Sequence, residues 1–88
     1  MRYVTFHYDL IRDHVSDLKV HEDKGKALKH FNSEIYKWFE INTKFKAAKT
    51  PATYGYPTRK YCVVSARTFK KMFDVSIDEA MEIAQGRK

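Results

Sequence analysis

Cysteine, proline and glycine are scarce in this 88-residue chain, which has one, two and three of them respectively. The lone Cys62 excludes an internal disulfide and every multi-cysteine zinc or iron–sulfur framework, so a reducing, cytoplasmic setting is expected. So few breaking residues, beside six Phe, six Tyr and one Trp, argue against a disordered tail and for one small domain with a filled core. No run of about 18 apolar residues occurs, and the chain passes from Arg2 into alternating polar positions, so neither a membrane span nor a signal peptide is expected. The glycine-rich strings that cradle nucleotide phosphates are missing too, and no cofactor is expected.

Acid is absent from the middle of the chain. Residues 1–40 carry seven Lys/Arg and seven Asp/Glu, residues 41–73 carry eight and none, and residues 74–88 carry two and four. All of the +6 net charge therefore comes from the central stretch, where Lys44, Lys46, Lys49, Arg59, Lys60, Arg67, Lys70 and Lys71 alternate with Phe45, Tyr54, Tyr56, Tyr61, Phe69 and Phe73. Cations neutralise phosphates and aromatic faces stack unpaired bases, so this mixture points to single-stranded nucleic acid more than to duplex DNA. The competing account is a solubilising basic face whose aromatics belong to the core. Lys44, Lys46, Lys49, Arg59 and Lys60 are expected to share one phosphate-facing surface. Tyr54 and Tyr56, two apart in an extended segment, point the same way and either form a stacking platform or tuck back over the sheet.

Period-2 alternation in Arg2–Tyr8 predicts a half-buried strand with Val4, Phe6 and Tyr8 on one side and Tyr3, Thr5 and His7 on the other. Asp9 then caps a short helix or irregular turn carrying Leu10, Ile11, Val15 and Leu18 near one face. Asp23 is the expected cap of the main helix, residues 24–41, whose apolar stripe is Ala27, Leu28, Phe31, Ile35, Trp38 and Phe39. Pro51, Gly55 and Pro57 place an exposed loop after it, with short strands around Phe45 and Tyr54. Tyr61–Ala66 is β-branched and uncharged and predicts a buried strand. Helical spacing follows in Arg67–Phe73, and Ser76 with Glu79 makes a capping box for a last helix that ends before Gly86.

His7, His14 and His21 recur every seven residues, but His7 lies in the predicted strand, so they do not make one metal-binding helix face. Cys62 sits in an apolar strand as a small core side chain, and neither Ser65 nor Ser76 has a motif that would make it a nucleophile. Thr68–Ala84 resembles a helix-turn-helix, yet Asp78, Glu79 and Glu82 would set carboxylates against DNA where the second helix meets it.

The opening RYVTFHYDL resembles the first strand of the ferredoxin-like CRISPR adaptation endoribonucleases, of VapD, and of the type V antitoxin endoribonuclease. That resemblance implies a strand, helix, hairpin, helix and final strand in order, and it makes Asp9 a metal-ligand candidate at a homodimer interface. In its Lys, Tyr and Phe content the chain also resembles the small accessory proteins of T-even phages, some of which neutralise host ribonuclease toxins or defence complexes. The expectation is a single α+β domain, residues 1–88, with an antiparallel sheet carrying helices and ferredoxin-like topology preferred. Its expected role is to bind RNA or a ribonucleoprotein, or a host protein target, as an accessory or inhibitory factor. A metal-dependent endoribonuclease using Asp9 is the alternative, and a protein-interaction module without nucleic acid is the third reading.

Overall fold

The computed structural model describes residues 2–39 and 50–84 of the chain. Alternation builds β1 (Tyr3–Asp9), and a tight turn returns the chain as β2 (His14–His21). Helix α1 (Lys24–Phe39) follows, then the hairpin β3 (Ala52–Tyr56) and β4 (Arg59–Ser65), then α2 (Ala66–Phe73) and α3 (Ile77–Ala84). The four strands form one antiparallel sheet in the order β2-β1-β4-β3. This is the expected α+β domain. Its succession of elements does not confirm the ferredoxin-like order, because it opens with a hairpin and places α2 and α3 together after the last strand.

The hairpin replaces the short helix expected over residues 9–18. Asp9 does cap, but it caps a turn: its Oδ1 accepts from the amides of Ile11 (3.0 Å) and Arg12 (3.1 Å). Asp13 closes that turn with φ 51 and accepts a hydrogen bond from the Tyr8 hydroxyl. A β-bulge explains the misleading spacing. Thr5 pairs with Lys19 and His7 with Ser16, so Asp17 and Leu18 share the place opposite Phe6. The extra residue turns the step from Val15 to Leu18 into three, which imitates a helix although both side chains face one side of a sheet.

Helices cover both faces. Central strand β1 is therefore buried on both sides instead of half-buried, with Thr5 and His7 buried as well as Val4 and Phe6. On one face α1 lays Ala27, Phe31, Ile35 and Phe39, four residues apart, onto Tyr61 and Val63, with Tyr3, Leu28, Ala52 and Tyr54 at the margin. Asp23 caps this helix as expected, its Oδ1 accepting from the Lys26 amide at 2.8 Å. On the other face α2 and α3 bury Phe69 and Ile77 against Val4, Phe6, Leu18, Cys62 and Val64. Ser65 caps α2 through the Thr68 amide (3.1 Å), and Ser76 caps α3 through the Glu79 amide (3.2 Å). Both helices thus lie on the sheet, with Ile77 buried and Asp78 paired to Arg2 at 3.1 Å, an arrangement that uses the resembled helix-turn-helix for packing. Among the described residues no helix is long and apolar enough to cross a membrane.

Candidate nucleic-acid interface

Strand alternation sends Tyr3, Thr5, His7 and Asp9 toward α1. Three of those four side chains are polar, which is unusual for a face covered by a helix. Thr5 Oγ1 meets Nε2 of His21 at 2.9 Å. Farther along, register places His7 opposite Ser16 and Asp9 opposite His14 on β2, and the same His7 and Asp9 opposite Tyr61 and Arg59 on β4. Helix α1 ends above this patch, leaving an open cleft of about 380 Å³ lined by His7, Asp9, His14, Ser16, Asp17, Trp38 and Arg59.

The cleft is aromatic as well as polar. Trp38 is 45% exposed and stands edge-on to His7, with ring centroids 5.3 Å apart and planes at 81°. Its indole N–H donates to Glu34 Oε1, one turn earlier in the helix, at 3.1 Å. Arg59 Cζ and Lys37 Nζ lie 5.9 and 5.8 Å from the indole centroid, within cation–π range. Next to it Phe39 receives the rings of Tyr54 and Tyr56 at 5.7 and 5.4 Å.

His7 is the anomaly of this face. The residue is 7% exposed and touches the rings of Tyr61, Trp38 and Phe39, yet among the described residues neither ring nitrogen has a hydrogen-bond partner. Nε2 stands 4.0 Å from Asp17 Oδ2. Burial lowers the His7 pKa from its ordinary value, against the opposing pull of Asp17, and burial lowers that of His21 likewise. The Tyr61 phenol is pushed up by burial.

The expected site residues divide between the two faces. Tyr54, Tyr56 and Arg59 lie on the α1 side, Tyr54 half-buried at the core margin and Tyr56 58% exposed. Lys60 follows Arg59 in the strand and takes the side of Cys62 and Val64, so these two do not share one surface. Arg67, Lys70 and Lys71 line a shallow depression on α2 with Asp74, on the face opposite α1. Lys44, Lys46 and Lys49, like Phe45, fall outside the described residues. Asp9 reaches the cleft but its Oδ1 is engaged by the turn amides, and among the described residues no three His, Cys, Asp or Glu side chains are grouped to hold a metal ion.

Sequence reasoning missed Trp38, His7, His14 and Asp17 as cleft residues. Trp38 was legible only as the outer edge of a wide apolar stripe, and Asp17 only through a bulge that register alone reveals. Comparison with known proteins gives no match among family models, curated proteins or solved structures.

Proposed function

We propose that the protein binds single-stranded RNA, alone or within a ribonucleoprotein, as an accessory or inhibitory factor without catalysis of its own. One observation carries this reading: Trp38 and Tyr56, large aromatic side chains exposed at 45% and 58%, flank Phe39 on the face where Arg59 and Lys37 approach the indole. Exposed rings offer bases a stacking surface, and adjacent cations offer phosphates a counter-charge. The acid-free stretch with Lys44, Lys46 and Lys49 begins in the sequence after Glu40, the residue that follows α1.

Titration of a labelled single-stranded RNA tests the reading. Affinity falls as salt rises from about 50 to 200 mM, with a log–log slope set by the number of neutralised phosphates. Trp38→Ala with Tyr56→Ala weakens binding by at least about tenfold, since stacking contributes roughly 1–3 kcal/mol per base. Salt-independent binding, or a double variant that binds as well as the parent, would sink it. Metal-stimulated cleavage of that RNA, abolished in Asp9→Asn, would favour the endoribonuclease instead.

A further inference from the structure

The cleft beside Trp38 has a composition that phosphate contacts do not account for. Asp9 and Asp17 line it, and carboxylates repel phosphate. His7 lines it too, buried and, among the described residues, without a partner for either nitrogen, a costly condition that a ligand would relieve. The β-bulge aims Asp17 here from a backbone at φ 52. At 4.0 Å, Asp17 Oδ2 and His7 Nε2 are too far apart to bond each other, and near enough for one planar ligand to meet both.

Building on the RNA-binding reading, we propose that this cleft receives one guanine base. A carboxylate has two oxygens and only accepts. Guanine is the standard base with two adjacent donors on its Watson–Crick edge, N1–H and the N2 amino group, with the acceptor O6 beside them. Adenine, cytosine and uracil set an acceptor next to each donor, which a carboxylate repels. Asp17 takes the two donors, and the neutral His7 imidazole donates its single N–H to O6. Trp38 now covers His7 edge-on, so the indole turns to admit the base and then offers a face for stacking. Arg59, 5.9 Å from that indole and opposite Asp9 in the sheet, holds a phosphate on the open side.

Trp38 is the only tryptophan, so its fluorescence reports on the cleft directly. Uridine-rich strands of about ten nucleotides, carrying one central guanosine, inosine or adenosine, are titrated beside free GMP and AMP. Inosine lacks only the N2 amino group. The guanosine strand is expected to bind at least about tenfold more tightly than the other two, and GMP to perturb Trp38 where AMP does not. Asp17→Asn, which exchanges one acceptor oxygen for a donor, removes the preference while circular dichroism reports an intact fold. The comparison of bases uses the unaltered protein and decides the matter whatever that variant does. Equal, salt-dependent binding of all three strands overturns the guanine site and leaves the RNA reading standing. A response to GMP but not AMP, with no strand bound at low salt, keeps the site, assigns it to free guanine nucleotides and overturns the RNA reading.

Discussion

The two faces of the sheet are covered by different kinds of side chain. The buried cluster of the α2/α3 face is apolar: Val4, Phe6, Leu18, Cys62, Val64, Phe69 and Ile77 form it, with Phe6 edge-on to Phe69 and Phe73 at 5.4 and 5.6 Å. Burial there pushes the Cys62 thiol up to about 12, as expected of a dry environment that disfavours a thiolate. The α1 face buries Phe31, Ile35 and Val63 beside Thr5 and His7, and it opens into a cleft. One face is suited to hold the fold, and the other gives up part of its apolar content to polar groups, of which Thr5 meets His21 and His7 has no hydrogen-bond partner among the described residues. Buried polar groups without partners cost stability, which is why the proposed ligand is placed on this face.

Three substitutions would break or sharpen this contrast. The largest effect belongs to Phe6→Ala, which empties the centre of the apolar face and is expected to cost about 3–5 kcal/mol in urea unfolding. A loss under about 1 kcal/mol would mean that this face does not carry the stability assigned to it. Gly55→Ala comes next, on the α1 side. Gly55 has φ +148, and a Cβ there would lie 2.5 Å from the Arg59 carbonyl oxygen and 3.0 Å from the Phe39 ring. A cost of about 1–3 kcal/mol is expected, together with a shifted Trp38 emission as Phe39 is displaced; unchanged melting and emission would contradict the close packing.

The smallest and most telling change is His7→Leu. Removing an unpartnered imidazole is expected to raise stability by up to about 1 kcal/mol while weakening ligand binding. It also alters the pH profile. His7 and His21 have pKa values below the ordinary 6.5, so the unfolded chain takes up their protons first. The stability that their neutral forms contribute is full above about pH 6.5 and is lost as pH falls below it through the folded-state values. Unfolding measured between about pH 7.5 and 5 should show a shallower acid loss in the variant than in the parent. Equal profiles would place the acid sensitivity elsewhere, since the α2/α3 cluster contains no histidine.

Much of the fold was legible where a local signal and the tertiary environment agree. Asp23, Ser65 and Ser76 cap helices because a side-chain oxygen beside free amides needs no distant partner, although the local pattern marks only Asp23 and Ser76 of these three for that role. The strand expected at 61–66, which spans Arg59–Ser65 with Ala66 opening α2, and the stripe of α1 follow from β-branching and four-residue spacing. Legibility failed at β2, where an added residue at Asp17 gave a strand the spacing of a helix. It failed again at Trp38, because an aromatic ring at the edge of an apolar stripe carries the same local pattern whether the sheet ends beneath it or not.

Sequence alone determined an α+β chain with one acid-free basic stretch, a capped main helix, and no cysteine framework, because composition, spacing and capping act over a few residues. Tertiary structure alone decided that helices cover both faces of the sheet, that Arg59 and Lys60 part to opposite sides, and that His7, Asp17 and Trp38 meet at one cleft. Those outcomes depend on which strands pair and in what register, and a single bulged residue changes the register while giving the local sequence the spacing of a helix.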